Sequence, residues 1–451
     1  MSNELYYYKY LKYKSKYLKL KNSIGGNFED DLEDREIKSR QKKQKKEYEA
    51  NREKRKKRDE NIKAILDNIK AKVDKLETAI KSIKEFKNKF NKSENYKVKY
   101  DEYLSYYLYT LLLYCLDKDL NNVINVDIIK ELIEGDEGDK TKSMQDNDDK
   151  NTPLHIAINK NLSKEIIELL STGVEGEKAK SMYNKNNDTP LHIALNKNLS
   201  KEIIELLCKG VEGEKAKSMY NKNNDTPLHI AINKKLSKEI IELLCSGVEG
   251  EKAKSIYNKN NDTPLHIAID KNLSKEIIEL LCSGVEGEKS KSMQNKNNNT
   301  PLHIAIKEYP KIPIEIIKLL LKGKGEEATI KKNNNNDTPL HIAITEYPKI
   351  PIEIIKELLK SKGEEAKSIQ NTPYENTPLH IAVEKKLPIE IIRLLASGIE
   401  GEKAKKLFNQ YLKFNEDYDT GADTSYFVTN LIPIDIAKEN KLSEEIINLL
   451  K

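Results

Sequence analysis

The segment Thr-Pro-Leu-His-Ile-Ala occurs seven times, beginning at Thr152, Thr189, Thr226, Thr263, Thr300, Thr338 and Thr377. Four successive intervals are 37 residues long, and the last two are 38 and 39. All seven histidines of the 451-residue chain, His155, His192, His229, His266, His303, His341 and His380, lie in these motifs. A period of this size is the mark of a stacked array, in which each unit touches only its neighbours.

Within a unit the residues dictate two short helices. Thr152 has the hydroxyl of a helix N-cap, and Pro153, like Pro190 one unit later, stands at the first helical position, where a missing N–H costs nothing. Leu154, Ala157 and Ile158 then share one face, and Ile166, Leu169 and Leu170 make the matching face of a second helix. Isolated helices below roughly 12–15 residues are marginal in water, so these persist only if neighbouring units cover them.

These residues resemble ankyrin repeats: a Thr-Pro-Leu-His motif, a short inter-helix loop, a second helix ending at Gly173, and a polar finger before the next Thr. The resemblance covers about residues 115–451. It implies an all-α fold, a helix-turn-helix solenoid of about nine units, with a long helical, partly coiled-coil extension in front. Ankyrin repeats run near 33 residues, and the surplus here falls between the terminating glycine and the next Thr. Asn161 and Asn187 stand where the family favours glycine, and Asn tolerates left-handed backbone best after Gly. Residues 176–183 are rich in helix formers, so either an extra helical turn or the family's hairpin is expected there.

Five regions follow: a Tyr/Lys-rich amphipathic leader at 1–28, a charged coiled-coil segment at 29–100, a degenerate capping repeat at 101–150, seven repeats at 151–406, and an aromatic insertion with a degenerate capping repeat at 407–451. The leader is similar to the Tyr/Lys-rich start of many proteins of mimivirus-type giant viruses. Ile62, Ile69, Leu76, Ile83 and Phe90 recur every seven residues, the pattern of a coiled-coil seam, which allows self-association through 62–90 or pairing within the chain.

Charge is uneven. Residues 1–100 hold 30 Lys and Arg against 17 Asp and Glu, and the rest holds 49 against 56. The basic part, with Lys54, Arg55, Lys56, Lys57 and Arg58 as a candidate polyanion patch, is suited to nucleic acid or an anionic membrane. Four cysteines are too few for a disulfide framework, and Cys208, Cys245 and Cys282 recur at one apolar place in successive units, as small buried hydrophobes. With no signal peptide read at the start, an intracellular setting is expected, host cytoplasm first, then nucleus or virion.

No metal, cofactor or catalytic centre is expected. Neighbouring units sit roughly 10 Å apart at helix-packing distance, whereas one zinc holds its ligands within roughly 2.3 Å, so His155 and His192 cannot share an ion. Gly-Val-Glu-Gly-Glu-Lys at 173–178 lacks the phosphate-loop spacing and would set two glutamates against phosphate. No histidine is left over as a base for nucleophilic catalysis. The resemblance therefore implies a scaffold for protein partners. Its candidate surface comprises Asn184, Lys185, Asn221 and Lys222 of the fingers, which are identical over 174–188 and 211–225, and the irregular places marked by Tyr309, Tyr347, Tyr411 and Tyr418.

Overall fold

The computed structural model describes residues 126–414 and 426–451, residues 105, 106, 108–113, 115 and 116, and the single residues 16, 49 and 53; for 361, 411–414 and 426–429 it describes backbone alone. The leader, the patch at Lys54–Arg58, the heptads of 62–90 and Tyr418 lie outside the described residues. The chain divides into two units, Met1–Ser93 and Glu94–Lys451, and the repeats form the second.

Each repeat folds as three short helices. In the first these are Pro153–Asn159, Lys164–Ser171 and Gly173–Ala179. The pattern returns as Pro190–Asn196, Lys201–Cys208 and Gly210–Ala216, then Pro227–Asn233, Lys238–Cys245 and Gly247–Ala253, then Pro264–Asp270, Lys275–Cys282 and Gly284–Ser290. The next two repeats tighten the third piece into 3-10 helices, Gly323–Ile330 and Ser361–Ser368, and the seventh restores it as Gly398–Lys406. Thr152 caps the first helix through its hydroxyl, which accepts from the backbone N–H of His155. Asn161 and Asn187 take the left-handed backbone expected of them, with φ of 52° and 57°.

The surplus residues thus form a third helix, settling the alternative that the sequence left open for residues 176–183. Gly173 turns the chain there with φ +81°, and a methyl on Gly176 would press on the backbone of Leu170 and Ser171, so the third helix lies tightly against the end of the second.

Leu154, Ala157, Ile158, Ile167 and Leu170 are wholly buried, and the same positions are buried in every later repeat. On the second helix the observed face is Ile166, Ile167 and Leu170, with Leu169 only half-buried. This corrects the expected Ile166, Leu169 and Leu170 face. The second helix packs on its own first helix and on the second helices before and after it, so an adjacent pair such as Ile166 and Ile167 can serve two of these neighbours. Each fully buried Leu or Ile contributes about 1.5–3 kcal/mol, and most of that burial is shared between repeats, which is why the stack and not the repeat is the stable object.

Both ends of the described stack are variants of the repeat. At the front, Val126–Leu132 and Gly135–Thr141 supply a second and a third helix, and Leu112 and Leu116 before them in the chain are wholly buried. At the back, Pro433–Glu439 and Glu444–Leu450 supply a first and a second helix. Before them, β1 (Asn409–Phe414) and β2 (Tyr426–Leu431) pair antiparallel, from Asn409 opposite Leu431 to Phe414 opposite Tyr426. The repeats are all-helical, but this hairpin departs from an all-α chain. Its aromatic and β-branched residues favour strands once a neighbouring backbone fixes the register.

Candidate interaction surface

The finger of each of the first six repeats is a turn built by one asparagine. The backbone N–H of Asn184 donates to the carbonyl of Asp188 at 3.0 Å, and the Asn184 side-chain oxygen accepts from the N–H groups of Asn186 and Asp188 at 2.9 and 3.0 Å. Asn221 repeats these bonds one unit later. Its amide also donates to the Asp188 carboxylate at 3.2 Å, as Asn258 does to Asp225 at 3.3 Å and Asn295 to Asp262 at 2.9 Å.

Backbone bonds continue this ladder from finger to finger. Lys185 N–H donates to Asp149, Lys222 to Asn186, Lys259 to Asn223 and Lys296 to Asn260, at 2.7–3.1 Å. Thr372 to Asn335 and Gln410 to Tyr374 extend it, and Asn409 donates its amide to Asn376 at 2.7 Å. The strand pair 409–414 and 426–431 therefore stands where a finger stands, so the aromatic insertion expected at the start of 407–451 is a finger lengthened into a pair of strands.

Histidine couples the ladder to the helices. Thr152 N–H donates to His155 Nδ1 at 3.2 Å, so the ring proton sits on Nε2, which donates to the Asp188 carbonyl of the next finger at 3.0 Å. Thr152 Oγ1 is 2.7 Å from the same Nδ1. The six later histidines repeat the arrangement, with partners Asp225, Asp262, Asn299, Asp337, Asn376 and Leu431. Burial lowers all seven imidazoles to about 4, so the rings are neutral near pH 7. Both nitrogens are committed, and among the described residues no three His, Cys, Asp or Glu converge on a metal-sized site.

A second inter-repeat device is built on a buried lysine. Lys180 is buried, pairs with Glu177, and donates at 2.9 Å to the carbonyl of Lys209 just before the left-handed Gly210. Lys142, Lys217, Lys254, Lys291 and Lys367 do the same to Thr172, Ser246, Ser283, Lys322 and Ser397. Their paired carboxylates often reach onward too: Asp139 accepts from Glu175 N–H, and Glu251 from Glu286 N–H, both at 3.1 Å. The recurring Glu-x-x-Lys spacing was a visible signal, but it is also the spacing of ordinary exposed helix pairs.

The candidate residues thus separate. Asn184 is half-buried and Asn221 buried, and both amides are engaged within the array, while Lys185 and Lys222 are exposed. Lys259 and Lys296 occupy the same finger position and are exposed as well, a relation legible in the Asn-Lys-Asn-Asn spacing. Tyr309 and Tyr347 are half-buried in the inter-helix loops, and Tyr411 lies on β1. Cys208, Cys245 and Cys282 are buried, their thiols pushed up to about 12 by burial, which leaves them unreactive near neutral pH. Among the described residues, no helix is long and apolar enough to cross a membrane.

Comparison with known proteins bears on the repeats. A family model described as ankyrin repeats, three copies, matches residues 112–217, 163–257, 211–290, 237–324, 271–368 and 311–405. No curated protein matches the chain. Among solved structures, the ankyrin repeat domain of Bcl-3, described as a unique member of the IkappaB protein family, is similar at 20% identity and TM-score 0.42, over 55% of this chain and 100% of that one. An ankyrin repeat domain from Acinetobacter baumannii AYE is similar at 21% identity and TM-score 0.36, over 46% and 96%.

Proposed function

Because the chain belongs to the ankyrin-repeat family, we propose that it is a non-enzymatic scaffold which holds proteins, host or viral, by surface contact along its fingers and first helices. One observation carries this reading: the groups best able to do chemistry, the seven histidines and the recurrent cysteines, are buried, and the histidines are bonded into the stack. What remains outside is a repeating surface of polar fingers, with one exposed apolar residue at the same place in five repeats, Val174, Val211, Val248, Val285 and Ile399. Affinity-capture proteomics on the full chain and on a chain lacking residues 1–93 tests it. Partners retained by both support the scaffold, and loss of every stable partner from the repeats alone overturns it.

A second reading rests on the charge of residues 1–100, where 30 basic residues face 17 acidic ones. That part, including Lys54–Arg58, would tether the repeats to nucleic acid or to an anionic membrane. Counterion release makes such binding fall steeply with salt, and deleting residues 1–60 should abolish it. A giant-virus origin rests on the resemblance of the leader alone, and an intracellular setting on the cysteine usage.

A further inference from the structure

Lys185, Lys222, Lys259 and Lys296 stand at one position of four consecutive fingers, are all exposed, and have no carboxylate within ion-pair distance among the described residues. The ladder of backbone and asparagine bonds holds those fingers in register. It also takes up the acids of the same fingers, because Asp188, Asp225 and Asp262 each accept from the next asparagine. The amines are left as the exposed charge. The row is bounded at both ends: the preceding finger carries Asp146, Asp148 and Asp149, and the following ones carry Asn334 and Thr372 in place of lysine.

Successive amines are one repeat apart, roughly 10 Å at helix-packing distance. An α-helix rises 1.5 Å per residue, so every seventh residue recurs after about 10.5 Å. Seven residues leave a straight helix about 20° out of phase per heptad, a drift that flexible lysine side chains absorb over three heptads. A nucleic acid carries a charge about every 3.4 Å of each strand. Between its matched phosphates it would lay further charges over Asn186, Asn187 and their equivalents, which are neutral.

We propose that the four finger lysines form a docking ruler for a partner α-helix that carries Asp or Glu at every seventh position over three heptads, each carboxylate pairing with one finger. This inference rests on the scaffold reading and names the class of partner.

The test uses the full chain and two labelled helical peptides of identical composition, one with four Glu at heptad spacing and one with the same Glu at five-residue spacing. The basic residues 1–100 attract either peptide, so the readout is the difference between them by fluorescence anisotropy. The in-register peptide should bind on the order of tenfold tighter, as four exposed ion pairs allow. That preference should vanish in the quadruple variant Lys185→Gln, Lys222→Gln, Lys259→Gln, Lys296→Gln, with circular dichroism unchanged. Reversal of the four lysines to Glu should transfer the preference to a peptide with Lys at heptad spacing. Equal binding of the two Glu peptides overturns the inference. So does a preference that survives the Gln variant, or a 30-base-pair duplex DNA that loses more affinity in that variant than the peptide does. If affinity capture still retains partners insensitive to these four substitutions, the ruler fails while the scaffold stands; if the repeats retain none, the scaffold reading itself fails.

Discussion

The amine of Lys254 lies 2.8 Å from the carboxylate of Glu251 in its own repeat and 2.9 Å from the carbonyl of Ser283 in the next, and Lys254 is only 4% exposed. One buried cation thus joins two repeats. Replacing it with Met leaves the Ser283 carbonyl unsatisfied and Glu251, itself partly exposed, without its partner. We expect a loss of about 2–3 kcal/mol, below the 3–5 typical of fully buried pairs because water reaches the carboxylate. Urea denaturation checks the size, and hydrogen exchange should show the opening concentrated at 284–290. A loss under 0.5 kcal/mol would make this contact incidental.

Acid should loosen the stack well above the range in which carboxylates titrate. The folded histidines sit near 4 against an ordinary 6.5, so the unfolded chain binds more protons between those values. Their stabilisation is complete above pH 6.5 and is lost as pH falls toward 4. At pH 5 unfolding should take up roughly six of the seven histidine protons. Asp188, Asp225, Asp262 and Asp337, raised above their ordinary value by burial, act in the opposite sense and soften the loss near its acid end. Thermal midpoints in buffers from pH 7.5 to 4.5 would reveal it, and a flat profile would contradict the buried neutral rings.

Two glycines of one third helix should differ in why they resist a side chain. Gly247 has φ +77° and faces the Glu214 carboxylate, the flexible end of a partly exposed side chain that also pairs with Lys217 at 2.7 Å, so Gly247→Ala should cost about 1–2 kcal/mol, backbone strain plus a weakened pair. A methyl on Gly250 would meet the Leu244 carbonyl oxygen at 2.5 Å and the Cys245 carbonyl carbon at 2.7 Å, neither of which is free to move. Gly250→Ala should cost more, about 2–3 kcal/mol as overpacking commonly does. Paired denaturation curves decide, and the reverse order would put the tight contact elsewhere.

If the hairpin is a lengthened finger, a short finger should replace it. Substituting Asn184–Asp188 for residues 409–431 keeps an asparagine for Asn376 and a carbonyl for His380, which now binds Leu431 at 3.3 Å. The chimera should retain the helical circular dichroism of the parent and unfold cooperatively. Separate unfolding of the last two helices would show that the strands themselves hold the end of the stack.

The first and second helices could be read from the residues because their causes are local. A Thr-Pro start, a run of apolar residues at helical spacing and a left-handed Asn each act within a few bonds, and seven copies repeat the message. The joining of His155 to its capping Thr152, three residues before it, is equally local. The third helix was not, since seven residues with two glycines have no amphipathic period, and what holds Gly173–Ala179 is Asp139 and Lys142 of the unit before. Nor could the residues reveal that the strand beginning at Asn409 continues the ladder of fingers, because that register is set by the neighbouring turn at 372–374. Sequence determined where the first and second helices would lie; contact between successive repeats decided the third helix, which lysines, carboxylates and asparagines were drawn inside and which amines were left facing out.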